Sequence, residues 1–166
     1  MRGGGRMSQV IIDVEGIREA QDALNTVKGG LSPFPDRIKE KIAKTTRDLI
    51  YQRTLTGKDR FGQFFAPYSG SYSETKQSMG SSVVNLYLTG HMFGSMTQKL
   101  DNDDALVFFA DDFANKKAHW HISGAGRLPT RDFFGASEQE IQASVVKGII
   151  QVHLDDLIRD AGDVPF

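Results

Sequence analysis

Apolar residues recur along this chain with two different periods, and the switches between them mark its elements. Residues 8–16, "SQVIIDVEG", concentrate Val and Ile into a short predicted strand that Gly16 ends. Ile17, Ala20, Leu24 and Val27 follow at helical spacing, and Gly29-Gly30 stop that helix. A longer helix is predicted over 32–57. Ser32 is its candidate N-cap, prolines occupy the first turn where a missing N–H costs nothing, and Gly57 ends it. Ile38, Ile42, Thr45 and Leu49 form its apolar stripe.

The pattern then breaks. Phe61, Phe64, Phe65 and Tyr68 crowd around Gly62 and Pro67, which reads as an ordered aromatic loop. Six serines and two glycines between Ser69 and Ser82 predict a long flexible loop. Thr89 is placed to cap a short helical turn carrying Met92 and Met96. Residues 97–111 read as a β-hairpin turning at 101–104. In its second strand Leu106, Phe108 and Ala110 face one way and Val107 and Phe109 the other, so both faces ask for cover. Ser137 and Glu140 have the spacing of a capping box. They open a terminal helix over 137–162, with Ile141, Val145, Ile149, Val152 and Leu157 or Ile158 on its apolar face.

Strands do not alternate regularly with helices, so the expected class is α+β: a small, mainly antiparallel sheet packed against two long amphipathic helices, with a long flexible loop. A second copy would cover the other sheet face. Length fits one domain, 8–162, flanked by a flexible basic tail (1–7) and a C-terminal tail (163–166). There is no cysteine, which rules out disulfides and thiolate chemistry in these residues. No apolar run approaches the ~18 residues of a membrane span, so no membrane partner is expected.

Charge changes the picture only locally. The net charge of -1 argues against a whole surface built for nucleic acid. Residues 33–60, however, carry eight Lys/Arg against four acids, while residues 101–166 carry twelve acids against six bases. Arg47 and Arg53 belong to the basic stretch. Such asymmetry suits a basic face meeting an acidic face of a neighbouring copy, and equally two solvated surfaces.

Candidate chemistry is sparse. In "HWH", His119 and His121 flanking Trp120 would share one face of a strand and could approach one metal, with Asp111 or Asp112 nearby. No third ligand stands at a supporting spacing. His91 has no nucleophile elbow to serve, and no glycine loop carries a phosphate-binding lysine. No cofactor is called for. The basic helix could touch phosphates without any DNA-reading motif to guide it. The segment "GRLPTRDFFGAS" (126–137) sets Pro129, Arg131, Phe133 and Phe134 in a stiff loop. Arg131 there suits a carboxylate or helix-end carbonyls, and the two rings suit a core or a neighbour.

Taken together, "YQRTLTGKDRFGQFFAPYS", "LYLTGHMFGSM", "DDALVFFAD" and "KKAHWHISGAGRLPTRDFFGAS" resemble the phage virion-morphogenesis family, the tail-completion or neck proteins of tailed phages. The matching positions are Asp59, Phe61 and Gly62; Leu88, Thr89, Gly90, Met92 and Ser95; His119 or His121; and Pro129, Arg131, Phe133, Phe134 and Gly135. "ISGAGRL" and the serine-rich 69–82 depart from the family pattern. The resemblance implies a non-enzymatic virion subunit, found in the host cytoplasm during assembly, that forms a ring, hexameric by expectation, at the head–tail junction or the top of the tail. Its partners would be its own copies and the neighbouring connector, stopper, terminator or tube proteins, with DNA only as cargo in the lumen. Arg47, Arg53, Phe61, Phe64, Phe65, Phe108, Phe109, Trp120 and the late motif are then candidates for structural or interface roles. The rival expectations are a metal-dependent enzyme using His119 and His121, and a nucleic-acid adaptor using the basic helix.

Overall fold

A computed structural model describes residues 10–11, 34–101, 104–126 and 128–162. The basic tail, the helix expected over 17–30, Ser32 and the tail 163–166 lie outside them. The class is α+β. In chain order the elements are β1 (Val10–Ile11), α1 (Asp36–Leu55), α2 (Gly70–Ser78), α3 (His91–Gly94), β2 (Met96–Asp101), β3 (Asp104–Phe109) and α4 (Asp112–Ser123). The terminal helix follows as a turn, α5 (Glu138–Glu140), a π-helical stretch (Ile141–Gln151), and α6 (Val152–Gly162). Strands β2 and β3 form the anticipated antiparallel hairpin, with Met96 opposite Phe109, and β1 pairs with the other edge of β3.

Helix α1 organises the rest. Its buried positions are Ile38, Ile42, Thr46, Ile50 and Thr54, with Ala43 beside them. The stripe therefore runs through Thr46 and Ile50 rather than Thr45 and Leu49. This i, i+4 row slants across the helix axis, so α1 starts against one partner and ends against another. Ile38 and Ile42 meet Val145, Ile149 and Ile150 of the terminal helix. Ile50 instead joins the main core of Phe65, Met92, Phe93, Val107, Phe109, Phe133 and Phe134. The terminal helix thus packs on α1, while α1 packs on both strands of the hairpin. Each large side chain buried here contributes ~1.5–3 kcal/mol relative to exposure.

Three expectations need correction. The serine-rich stretch is not a loop throughout: α2 occupies Gly70–Ser78. It is pinned by Lys76, whose Nζ donates to the carbonyl of Val83 and to Asn85 Oδ1, each at 2.7 Å. Next, "HWH" lies on α4, not on a strand. Asp111 caps that helix by accepting from the Ala114 N–H at 2.7 Å, and Gly124 ends it at φ +68°.

The third correction concerns the terminal helix. Its capping box forms as expected between Ser137 and Glu140, but the next 11 residues are π-helical. An i→i+5 ladder puts more residues into each turn than an α-helix does, so the face that is inward at Val145 and Ile149 continues through His153. Val152 and Ile158, expected inside, are 50% and 59% exposed.

Both faces of β3 are apolar, as the alternation implied. Val107 and Phe109 enter the main core, while on the other face Leu106 is buried and Phe108 lies half-buried with Lys99 Nζ 5.9 Å from its ring.

Candidate functional site

Gly124 turns the chain back along α4, and the Arg131 N–H donates to the carbonyl of His121 at 2.7 Å. A Cβ at Gly124 would sit 2.7 Å from Thr130 Oγ1, so the reversal needs glycine there. The late motif then enters the core one residue at a time. The Arg131 side chain is buried: Nη2 donates to the carbonyls of Ala66 (2.9 Å) and Pro67 (3.2 Å), and the guanidinium lies 5.0 Å from the Tyr68 ring. Phe133 is fully buried edge-on to Phe93 and Phe109, and Phe134 packs beside it.

Arg53 reaches the same segment from α1. Its Nη2 donates to the carbonyls of Phe133 and Gly135 at 2.6 and 2.7 Å, and its Nη1 pairs at 2.6 Å with Glu140, the carboxylate of the capping box. Arg53 is therefore not part of a solvated or subunit-facing basic surface. Arg47 is also engaged internally, with Asp48 and with Gln98 on β2, although it stays half-buried.

The aromatic loop closes onto this joint. Arg60 pairs with Asp132 at 2.8 Å, and its N–H donates to the Asp132 carbonyl. Asp59 Oδ1 accepts from the N–H groups of Phe61 and Gln63, which fixes a tight turn. Phe65 enters the core, whereas Phe61 and Phe64 point outward at 65% and 78% exposure, each beneath a cation from Arg60 or Lys58.

Beside the joint lies a cleft of about 830 Å³. Leu86, Leu88, Met92 and Phe93 form an apolar wall. Tyr68 and Tyr72 stand at the aromatic end, and α4 contributes Lys117, Trp120 and His121. Leu128, Pro129 and Arg131 complete it from the late motif, and among the described residues none that lines it is acidic. The Thr89-Gly90 pair forms part of the rim. Gly90 adopts φ +78°, and a Cβ there would fall 2.7 Å from Tyr87 Oη.

The cleft is electrostatically lopsided. Burial lowers the pKa of both Arg131 and Lys76, and in Arg131 the neighbouring Tyr68 and Tyr72 partly offset that effect. Lys76 Nζ also stands 5.1 Å from the Tyr68 ring, so one phenol ring serves two cations. Burial raises the pKa of Tyr68, whose hydroxyl accepts from the Leu86 N–H at 2.9 Å. His121 is held down to about 4 by burial first, then by Arg131 and Lys117. Its imidazole is therefore neutral at pH 7, and its buried Nδ1 has no hydrogen-bond partner. Arg131 Nε is likewise buried and unpartnered.

The helical setting of "HWH" removes the proposed metal pair. Residues i and i+2 point roughly 200° apart on an α-helix. His119 is accordingly exposed and His121 half-buried against the cleft. Among the described residues no cluster of three His, Cys, Asp or Glu could hold a metal ion. Nor is any helix among them long and apolar enough to cross a membrane.

Nothing in the sequence brings Tyr68, Leu88 and Lys117 together in one cleft or singles out Lys76, whose Nζ lies over the Tyr68 ring beside it. A lone lysine among serines carries no mark of burial, and the cleft's walls come from segments about 60 positions apart, such as Tyr68 and Arg131. No family model, curated protein or solved structure matches the chain.

Proposed function

We propose that this chain is a structural virion protein of a tailed phage, a tail-completion or neck subunit that assembles into a ring through which DNA passes. The observation that supports it best is the joint between the aromatic loop and the late motif, two of the blocks that carry the family resemblance. Its arginines are committed to architecture. Arg53 and Arg131 bind backbone carbonyls, and Arg60 binds Asp132. The reinforced joint carries the exposed Phe61 and Phe64, and rigidly presented aromatic side chains are what a protein–protein contact uses for anchorage. Two long amphipathic helices, α1 and the terminal helix, would serve as the scaffold holding this loop against its neighbours.

A ring also needs two different patches per subunit, since head-to-tail contacts close only when unlike surfaces meet. The Phe61/Phe64 tip and the cleft are separate surfaces of that kind. The test is electron microscopy of particles produced with and without the chain. Loss should leave filled heads and tails unjoined, with the protein located at the junction in complete particles. Normal joined particles made without it would contradict the assignment.

A further inference from the structure

The cleft beside the joint gathers features that packing alone does not call for. Burial perturbs the protonation of Tyr68, Lys76, His121 and Arg131, and all four meet in the cleft or at the Tyr68 ring that lines it. Leu86, on the apolar wall, is held at φ +56° with its N–H bonded to Tyr68 Oη at 2.9 Å. That is a left-handed conformation, uncommon for any residue but glycine. His121 Nδ1 and Arg131 Nε are buried without a partner. Strain, perturbed titration and unmet polar atoms around one apolar hollow are the marks of a ligand site. Its volume, about 830 Å³, suits a small molecule.

The lining defines the ligand. Leu88, Met92 and Phe93 continue the apolar wall, and Tyr68 and Trp120 add aromatic rings, so a flat apolar body fits between them. Its charge follows from the cations. Lys117, Trp120 and His121 stand at i, i+3 and i+4 on α4 and share a face. Lys117 pairs with no carboxylate among the described residues; its Nζ lies 4.5 Å from the Phe113 ring. Arg131 is 2% exposed and bonded to the Ala66 and Pro67 carbonyls, so it acts through its field rather than by contact. That field reaches the cleft: after burial, Arg131 and then Lys117 disfavour protonation of His121. The same two charges would favour a negative group there, and among the described residues no acidic one lines the cleft to supply it.

We propose that the cleft is a binding site for a small aromatic carboxylate, its rings against Leu88, Phe93 and Trp120 and its carboxylate accepting from the Lys117 ammonium. This goes beyond the assembly reading, which uses the cleft only as an outer surface. The ligand occupies the interior, whatever meets the exposed rim of Trp120 and Leu128.

Three probes of one shape separate charge from packing: naphthylacetate, the neutral naphthylacetamide and the cationic naphthylethylamine. Isothermal titration calorimetry of the full chain measures their binding, and light scattering on the same samples records mass. Naphthylacetate should bind saturably at one site per chain, ~10-fold or more tighter than the amide, and the amine should not bind measurably. Lys117→Gln should bring acid and amide within ~3-fold of each other, and Lys117→Glu should turn the preference towards the amine. Trp120→Ala should weaken acid and amide alike, by ~3-fold or more. Lys117 and Trp120 lie outside the two cores, and circular dichroism checks folding.

Equal binding of acid and amide by the wild-type chain would overturn the proposal. So would an acid preference that survives Lys117→Glu, since the site would then lie elsewhere, and so would a wild-type chain that takes up none of the three probes. Because mass is read separately, a ring that binds no acid refutes this inference alone, and a monomer that binds it counts only against the ring.

Discussion

Arg53 shows how far a residue's role can depend on what the fold brings to it. By sequence it is one of eight basic residues in a stretch that invites a surface reading. In the fold it holds two carbonyls and a carboxylate from positions 80 to 87 residues away, at Phe133, Gly135 and Glu140. Arg53→Ala should therefore destabilise the protein by ~3–5 kcal/mol, because it strands a partly buried carboxylate and two carbonyls. Denaturant unfolding checks this; a loss below ~1 kcal/mol would make it an ordinary surface arginine.

His121 gives a second residue-scale prediction. Its folded pKa, about 4, lies below the ordinary 6.5. The unfolded chain therefore binds the proton more readily between those values, and stability should fall as the pH drops from about 6.5 towards 4. Discounted for partial exposure, the loss from this group is on the order of 1–2 kcal/mol. His121→Gln should flatten that part of the stability profile, and an unchanged profile would show the imidazole is not held neutral.

At the scale of elements, local signals were read well and long-range ones poorly. The hairpin, the end of α1 just before Gly57, and the Ser137/Glu140 capping box all follow from short-range rules of period, turn and cap, whereas α1 starts at Asp36 after Pro35 rather than from a cap at Ser32. The α2 helix does not show in the sequence because its anchor lies beyond its own end: Lys76 is ordered by Val83 and Asn85 in the following segment, and serines advertise only polarity. "HWH" was placed on the wrong element because three polar-aromatic residues have no period of their own, while the cap at Asp111 and the stop at Gly124 decide the matter. The π-helical stretch escaped notice since i+4 spacing fits both ladders over two turns. Within it Gly148 is exposed, and a Cβ there would meet only Ala143 O, at 3.7 Å. Gly148→Ala should then stabilise the protein by ~0.5–1 kcal/mol. Destabilisation in thermal unfolding would mean that the wide turn needs the glycine.

For the whole molecule, the site was legible only in halves. Pro129, Arg131, Phe133 and Phe134 stand out in sequence, and they do form the joint. The cleft beside them depends on Tyr68, Leu88 and Lys117, which only folding assembles. What links these scales is commitment: Arg53, Arg60 and Arg131 of the joint all bond within the fold, while aromatic and aliphatic side chains at the loop tip, the cleft rim and α6 are left exposed. A subunit built to be completed by neighbours has that distribution. The most direct measurement is the mass of the purified chain by light scattering across concentration. A metal-free, closed assembly of fixed copy number, a multiple of 18.4 kDa, is the predicted result. A monomer at every concentration would contradict it, and the more sharply if that monomer held one metal ion per chain.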